Sequence, residues 1–209
     1  PVCGETWSTA LYSGADKFTS VTYDGSKFAA VGKGGVIMTS FNGKRWSIQS
    51  SGVLNDLNGI VYGDNKFAAV GANGLILTGS DGTNWVDQYP GTNNELHSIA
   101  YGNNMFAAVG AGGVVLTSSD GTAWQVRSAG ITIAFRGITY GNNKFVAVGD
   151  SGIIMTSTDG INWSKKASWT TNTLYGITFG DNKFLAVGEF GVIVSSSDGV
   201  NWNSRTSST

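Results

Sequence analysis

Residues 137–163 have the sequence GITYGNNKFVAVGDSGIIMTSTDGINW, and this stretch decides the fold. It holds three short runs rich in β-branched and aromatic residues. They are separated by turn-forming residues at 141–143, 150–152 and 159–160. Runs of this kind are typical of β-strands joined by hairpin turns. The apolar i, i+3, i+4 spacing of an amphipathic helix does not survive the turn residues. The stretch therefore predicts three strands, and Trp163 opens a fourth, more polar one.

The same pattern recurs every 39 residues along the chain. Two aromatic positions show the repeat best, and they are occupied by Phe28, Phe67, Phe106, Phe145 and Phe184 and by Trp46, Trp85, Trp124, Trp163 and Trp202. Five units without insertions account for 195 of the 209 residues. About 40 residues with four short strands are the sequence signature of a propeller blade. We therefore predict an all-β, five-bladed β-propeller that forms a single domain over residues 1–209, with these ten rings in its core.

The two chain ends both carry a copy of the fourth strand, at 7–12 and at 202–207. The sequence thus holds six fourth strands but only five of each other kind. We expect the N-terminal copy, within residues 1–13, to complete the last blade as an extra outer strand. The C-terminal copy, within residues 202–209, is then surplus. The reverse arrangement is also open, and in either case strands from both chain ends close the ring.

The composition argues against several classes of function. There are 13 Lys and Arg against 14 Asp and Glu, a net charge of −1, whereas a nucleic-acid footprint needs a basic patch. A single Cys forms neither an internal disulfide nor a zinc site, so we expect no metal and no cofactor. No apolar run approaches the roughly 20 residues of a membrane-spanning helix. No signal segment opens the chain, and the low charge favours an extracellular or cell-surface bacterial protein whose export signal has been removed.

Residues 157–163, STDGINW, resemble an Asp-box, the turn motif of sialidase-like propellers. Together with the recurring YGxNKFxAVG stretch, the chain resembles bacterial Asp-box (BNR-like) repeat proteins, a group related to photosystem II assembly factors. Its architecture is also similar to that of the five-bladed lectin tachylectin-2. In such families the Asp caps the turn and the Trp packs beneath it. The resemblance thus implies a structural role for Asp81, Asp120, Asp159 and Asp198, while Asn42 replaces the Asp in the first unit.

Functional residues are sought where the five units differ from one another. They differ at the entry to the first strand, in the turn between the second and third strands, and in the loop after the fourth strand. All three emerge on one face of an up-and-down blade, and rigid scaffolds that present diverse loops bind ligands in this way. The candidate ligand-binding residues on this variable face are Asn58, His97, Arg136 and Tyr175 at strand entries, Asp150, Glu189 and Phe190 in turns, and Tyr89 and Trp169 in loops.

Three functions are compatible with this surface. A non-enzymatic, lectin-like module that binds carbohydrate is our first prediction, because near-identical blades suit repeated weak sites and amide side chains beside aromatic rings suit sugars. A protein-interaction or assembly scaffold is the alternative that the family resemblance implies. A glycoside hydrolase is the third, with Asp150 and Glu189 as the only acids in equivalent turns. We predict no catalytic residue, a carbohydrate or protein partner and a monomeric chain. A ring without independent function, cut from a larger protein or engineered, is a further alternative.

Overall fold

The computed structural model describes residues 17–205, which form twenty short strands and no α-helix. The first sheet contains β1 (Phe18–Tyr23), β2 (Phe28–Gly32), β3 (Ile37–Ser40) and β4 (Ser47–Gln49). The second contains β5 (Leu57–Gly63), β6 (Lys66–Gly71), β7 (Ile76–Gly79) and β8 (Val86–Asp87). The third contains β9 (Leu96–Gly102), β10 (Met105–Gly110), β11 (Val114–Ser118) and β12 (Gln125–Ser128). The fourth contains β13 (Phe135–Gly141), β14 (Lys144–Gly149), β15 (Ile154–Ser157) and β16 (Ser164–Lys166), and the fifth contains β17 (Leu174–Gly180), β18 (Lys183–Gly188), β19 (Ile193–Ser196) and β20 (Asn203–Arg205). Within this part of the chain, no helix is long and apolar enough to cross a membrane.

Each sheet is antiparallel, with its four strands in chain order. In the fourth sheet, for example, Phe145 lies opposite Tyr140 on one side and Ser157 on the other. The hairpin between the first two strands of this sheet turns through Asn142 and Asn143, which have φ of 45° and 58°. Asn tolerates this left-handed conformation better than most residues. The predicted all-β fold of five four-stranded blades is confirmed.

The second and third strands of each sheet meet in a 3-10 turn of three residues. These turns are Lys33–Gly35, Ala72–Gly74, Ala111–Gly113, Asp150–Gly152 and Glu189–Gly191. The final glycine of the turn is required by a close approach. A Cβ on Gly152 would lie 2.1 Å from the carbonyl oxygen of Thr170, in the loop that follows the fourth strand. The turn and this loop are therefore packed backbone against backbone.

The core lies between the sheets, on both faces of the second and third strands. Phe67, Phe106, Phe145 and Phe184 are fully buried, as predicted, and each packs against the aromatic residue that is next to last in the preceding strand. Burying such a ring is worth roughly 1.5–3 kcal/mol. In the first sheet, Phe28 is only partly buried, because no described sheet precedes this one. Of the five tryptophans predicted in the core, Trp202 is buried, whereas Trp46, Trp85, Trp124 and Trp163 are only partly buried.

Neighbouring sheets are joined by two recurring contacts along one edge. We call it the uniform edge, because its turns differ little between repeats. Gly141, at the end of β13, seats the ring of Phe179 so closely that a Cβ there would lie 2.1 Å from the ring Cγ. Lys144 donates from Nζ to the carbonyl oxygen of Asp198 at 2.6 Å. The glycine seat recurs at Gly63 and Gly102, and the lysine bond recurs at Lys27 and Lys66.

The fifth sheet takes its fourth strand from the C-terminal copy, which we expected to be surplus. β20 is hydrogen bonded to β19, with Arg205 opposite Ile193. A fourth strand that follows its neighbour through a short turn closes a much smaller loop than one from the other end of the chain, at a lower entropic cost. The N-terminal copy and the ring closure assigned to it lie outside the described residues. Within residues 17–205, the first and fifth sheets each have one face that no neighbouring sheet covers.

Candidate functional site

The variable positions lie together along the edge opposite the uniform one, and we call this edge the variable rim. Each 3-10 turn is tied to the entry of the first strand in its own sheet. The backbone N–H of Asp150 donates to the carbonyl oxygen of Ala134 at 3.0 Å, and that of Glu189 to Thr173 at 2.9 Å. Strand entry, turn and loop therefore lie against one another along this rim.

In the first three sheets, the entry side chain is hydrogen bonded to the next sheet. Thr19 donates from Oγ1 to the carbonyl oxygen of Leu57 at 2.6 Å, and Asn58 donates from Nδ2 to that of Leu96 at 2.9 Å. His97 makes the same contact at 2.6 Å from Nδ1, which must carry the hydrogen because a carbonyl oxygen only accepts. Asn58 and His97, two of the predicted ligand-binding residues, thus hold neighbouring sheets together.

In the fourth sheet, the entry side chain instead pairs with the turn of its own sheet. Arg136 donates from Nε and Nη2 to the two carboxylate oxygens of Asp150, at 2.7 and 2.9 Å. This bidentate pair lowers the pKa of Asp150 and raises that of Arg136. About a third of each side chain is exposed, so the pair is accessible from solvent. The predicted site residues Arg136 and Asp150 are therefore brought together.

The fifth sheet has an equivalent pair built from different residues. Tyr175 donates from its hydroxyl to Oε1 of Glu189 at 2.9 Å, and the backbone N–H of Thr173 donates to Oε2 at 3.1 Å. The bond from Thr173, and then that from Tyr175, lowers the pKa of Glu189, and the carboxylate raises the pKa of Tyr175. Asp150 and Glu189, predicted as a possible carboxylate pair, thus each have a partner of their own.

The entry residues of all five sheets surround a central cavity of about 230 Å³, lined by Thr19, Asn58, His97, Arg136 and Tyr175. Two carboxylates that are bonded to its lining residues, those of Asp150 and Glu189, have lowered pKa values and are ionised at neutral pH. A general acid of a glycosidase needs a raised pKa instead. The cavity mouth is thus arranged for hydrogen bonding and ion pairing.

Two bulky aromatic side chains on the rim occupy left-handed backbone positions. Trp169 has φ of 60° and is 80% exposed, at a position where the other repeats have Gly52, Gly91 and Gly130. Phe190 has φ of 54° and is 90% exposed, in the middle of the last 3-10 turn. The left-handed conformation costs an L-residue roughly 1–2 kcal/mol. Both rings are therefore held in strained backbone and face solvent.

Trp169 lines a shallow groove of about 550 Å³ together with Ser168, Thr170, Thr171 and Asn172. Only three residues of chain separate Trp169 from Thr173, which is hydrogen bonded to Glu189 beside Phe190. Trp169, Tyr175, Glu189 and Phe190 thus belong to one stretch of the rim.

Tyr89 lies apart from this stretch. It is exposed, has φ of 44° and lines a separate groove of about 520 Å³ with Asn73, Pro90 and Thr92. Both grooves open on the same edge, but in different repeats. The predicted ligand-binding residues therefore fall into two groups.

Sequence comparison missed one variable position, the residue immediately before each first strand. Glu95 occupies it in the third sheet, where its carboxylate accepts from Asn58 Nδ2 at 3.0 Å and lies 3.6 Å from His97 Nε2. In the second sheet Asp56 pairs with Lys33 at 2.7 Å. The signal was present, because this position holds Lys17, Asp56, Glu95, Ala134 and Thr173 in the five units.

The four aspartates of the uniform edge are bound within their own turns. Oδ1 of Asp159 accepts from the backbone N–H groups of Ile161 and Asn162, at 2.9 and 2.8 Å. The bond from Asn162 is the main reason that the pKa of Asp159 lies well below its usual range. Trp163 donates from Nε1 to the carbonyl oxygen of Gly160 at 3.0 Å. The same bonds recur at Asp81, Asp120 and Asp198, so these carboxylates stabilise turns.

Comparisons with known proteins agree with the propeller architecture. YCF48 bound to D1 peptide superimposes with a TM-score of 0.70 and 17% identity, over 94% of this chain and 69% of that one. YCF48 from Cyanidioschyzon merolae gives a TM-score of 0.71 and 19% identity, over 97% and 75% of the two chains. A chain of the nidogen/laminin complex gives 0.71 and 13%, over 90% and 79%. At these identities the likeness concerns the fold alone.

No curated protein matches the sequence. The sequence pattern of the DUF6242 beta propeller domain, however, matches residues 90–209, which is more than half of the chain. The chain belongs to the DUF6242 β-propeller family.

Proposed function

We propose that this protein is a non-enzymatic interaction scaffold that binds a protein partner, as an extended peptide segment, on the variable rim. The observation that carries the proposal is the pair of exposed, strained aromatic side chains, Trp169 and Phe190. Strained backbone persists where the surrounding structure over-determines it, and it clusters at ligand-contacting positions. Glycine would relieve the strain most simply, and it fills all three positions equivalent to Trp169 within the described repeats and two of the four equivalent to Phe190, so a binding role accounts for the rings.

The residue types on this stretch of the rim are those that dominate the energetics of protein interfaces. Trp, Tyr and Arg are enriched among interface hot spots, and the rim presents Trp169, Tyr175 and Arg136. Their polar partners, Asp150 and Glu189, stay ionised and accept hydrogen bonds, so a peptide backbone N–H or a cationic side chain suits them. The lowered pKa values of both carboxyls favour binding over acid catalysis.

The fold neighbours support the same function. YCF48 was solved bound to a D1 peptide, and it shares this fold. The family resemblance noted from the repeat, to proteins related to photosystem II assembly factors, points in the same direction. The low charge and the abundance of Asn, Ser and Thr support our further proposal that the protein acts outside the cell or at its surface.

Carbohydrate binding is the second candidate, and one observation favours it. The groove that Trp169 lines is also lined by Ser168, Thr170, Thr171 and Asn172, whose side chains carry hydroxyl and amide groups. An exposed aromatic ring beside such groups suits a sugar. The finer resemblances, to Asp-box repeat proteins and to tachylectin-2, belong to this candidate and stay predictions.

Panning a library of displayed linear peptides on the purified chain tests the proposal. The variant Trp169→Gly/Phe190→Gly serves for counter-selection, because glycine adopts both left-handed positions without strain. We expect peptides that bind the parent chain and lose most of their affinity for the variant. Tyr89→Gly is the matched control, since this exposed aromatic also has positive φ but lies in the other groove.

A glycan array probed with the same three proteins separates the two candidates. Reproducible binding to one class of sugar, lost in the double variant, together with no enriched peptide, would replace the scaffold by a lectin. Peptides that bind parent chain and double variant equally well would move the site away from Trp169 and Phe190.

A further inference from the structure

The innermost strands of neighbouring sheets are joined at two successive repeat positions beside the central cavity. At the first position, the entry side chains of the first three sheets donate to the next sheet. At the second position, a serine accepts from a backbone N–H of the next sheet. Ser20 Oγ accepts from Ile60 and Ser98 Oγ accepts from Ile138, each at 3.3 Å. The first and third interfaces between sheets therefore have both bonds.

The interface between the fourth and fifth sheets has neither bond. Arg136, its entry residue, pairs with Asp150 of its own sheet instead. Gly137 stands in place of the serine, so among the described residues no side chain accepts from the backbone N–H of Ile177. Ile177 has the same register in β17 as Ile138 has in β13, so its N–H likewise points towards the preceding sheet. A backbone donor is therefore left without a partner beside Gly137.

A backbone acceptor lies next to this donor. Tyr175 is the extra residue of a β-bulge, because the register shifts between Leu174 and Gly176 and leaves it without a partner on β18. The extra residue of a bulge takes no regular part in the ladder. A Cβ on Gly137 would lie 3.2 Å from the carbonyl oxygen of Tyr175 and 3.5 Å from the backbone nitrogen of Ile177. An atom placed beside Gly137 therefore contacts both an acceptor and a donor.

The two backbone groups define the chemistry of a ligand that fits between them. Gly137, Tyr175 and Ile177 all line the central cavity of about 230 Å³, so the site is open to a small group. Peptide groups removed from bulk water need hydrogen-bond partners. A carboxylate lacks a donor and an ammonium lacks an acceptor, whereas a primary carboxamide has one of each on a single planar group. The site therefore suits a carboxamide better than it suits either charged group.

We propose that this part of the cavity binds the primary carboxamide of an Asn or Gln side chain in the partner peptide, an inference that rests on the proposed function for the source of the side chain. The carboxamide oxygen accepts from the N–H of Ile177, and its NH₂ group donates to the carbonyl oxygen of Tyr175. The hydroxyl of Tyr175 is bonded to Glu189, next to Phe190. A peptide held by the exposed rings of the rim therefore passes the cavity and extends one side chain into it.

The interface between the second and third sheets is the matched comparison. Gly59 stands there in place of the serine, but Asn58 still donates across the interface to the carbonyl oxygen of Leu96 at 2.9 Å. Among the four interfaces within residues 17–205, the one between the fourth and fifth sheets alone lacks both bonds. The carboxamide site is therefore assigned to this interface.

Titration of the isotope-labelled chain with propionamide, followed by NMR of the backbone amides, tests the proposal without the partner. We expect a saturable shift of the Ile177 signal, whereas propionate and propylammonium should produce none. Gly137→Ser introduces the serine of the other interfaces as an acceptor for Ile177. It should weaken propionamide binding roughly tenfold or more, since the ligand loses a hydrogen bond and its space. Gly59→Ser is the matched control and should bind propionamide like the parent chain.

Urea denaturation separates loss of the site from loss of the fold. Ser20 and Ser98 show that the repeat accommodates serine at this position, so Gly137→Ser should unfold at the urea midpoint of the parent chain or above it. An Ile177 signal that does not respond saturably to propionamide in the parent chain would mean that water alone fills the site, and it would overturn the proposal. Equal binding of propionate would overturn it as well.

Peptides selected from the displayed library give a second readout. They should be enriched in Asn or Gln at one fixed position and should lose this preference on Gly137→Ser, while still depending on Trp169 and Phe190. Peptides that bind without such a preference would overturn the carboxamide site and leave the proposed function intact. Propionamide binding without any enriched peptide would overturn the proposed function and leave the carboxamide site in place.

Discussion

The uniform edge and the variable rim are built on the same five repeats, yet their side chains have different roles. At the uniform edge, the Asp159 carboxylate is bound by its own turn and Gly141 seats the ring of Phe179. At the rim, the backbone is equally regular, but the side chains of Trp169 and Phe190 are exposed to solvent. The comparison shows that the backbone of the repeat is preserved on both edges. Function is therefore to be sought where side chains are not needed to hold neighbours.

The rim itself has two parts, which differ in whether the entry side chain holds the neighbouring sheet. In the first three sheets, the entry side chains of Thr19, Asn58 and His97 bond to the following sheet. In the last two, Arg136 and Tyr175 pair with acids of their own turns and stay accessible. The fourth and fifth repeats thus carry the part of the rim that is free to meet a partner.

The largest expected effect is at the uniform edge. Gly141→Ala places a Cβ within 2.1 Å of the Phe179 ring, so the interface must open, and we expect a loss of about 3 kcal/mol in the free energy of unfolding. Urea denaturation measures it. Gly180→Ala, at the same repeat position but in open space, is the matched control and should change stability by less than about 0.5 kcal/mol. Equal losses in both variants would contradict the glycine-seat interpretation.

A smaller loss is expected from the turn carboxylate. Asp159→Ala removes the acceptor of two backbone N–H groups, as in loss of a helix cap, and should cost about 1 kcal/mol in urea denaturation. Asp159→Asn is the control that the chain itself provides. In the first repeat, Asn42 accepts from the backbone of Lys44 and Arg45 at 2.9 and 3.1 Å. This variant should keep most of the stability, and a loss equal to that of alanine would count against the turn bond.

The same bonds give the contribution of Asp159 a defined pH dependence. They lower its pKa in the folded state, so the stabilisation is complete above the pKa of an unfolded Asp, about 4, and is lost as the pH falls towards the folded value. Asp159→Asn should therefore be less sensitive than the parent chain to acidification below about pH 4. Parallel curves of stability against pH would show that the carboxylate is not involved.

At the rim, removal of a side chain should stabilise the protein. Trp169→Gly relieves left-handed strain and should raise the free energy of unfolding by about 1 kcal/mol, because the strain exceeds the entropic cost of glycine. Gly130→Trp, the reverse change at the equivalent position, should lower it. A destabilised Trp169→Gly variant would mean that the ring has a packing role, and the contrast between the two edges would then weaken.

The smallest effect is expected for the ion pair of the rim. Arg136→Ala breaks a partly exposed pair and should change the free energy of unfolding by less than about 1 kcal/mol, as exposed pairs usually do. A thermal melt at low and at high salt checks this, since screening should reduce the difference further. A loss as large as that of Gly141→Ala would make the pair part of the framework.

Only part of the candidate site could be predicted from the sequence. Comparison of the repeats identified Trp169 and Phe190 as candidates, because both lie at positions where the repeats differ from one another. It did not separate Asn58 and His97 from Arg136 and Tyr175, although all four occupy one repeat position. Whether such a side chain reaches the next sheet or its own turn depends on distances across the interface. Glu95 was missed for the same reason, since its role depends on Asn58 and His97 lying beside it.

By itself, the 39-residue repeat determined the five four-stranded sheets, their turns and their buried rings, because hairpins and alternating faces depend on residues close together in the chain. Only the tertiary structure decided that β20, not the N-terminal copy, completes the fifth sheet. It also decided which entry side chains join neighbouring sheets, and that one face of the first sheet and one of the fifth stay uncovered within residues 17–205. The last two outcomes depend on how one sheet packs on the next. That packing brings together residues about 40 positions apart in the chain. Because the repeat pattern is the same in every copy, it does not show how one interface differs from the next.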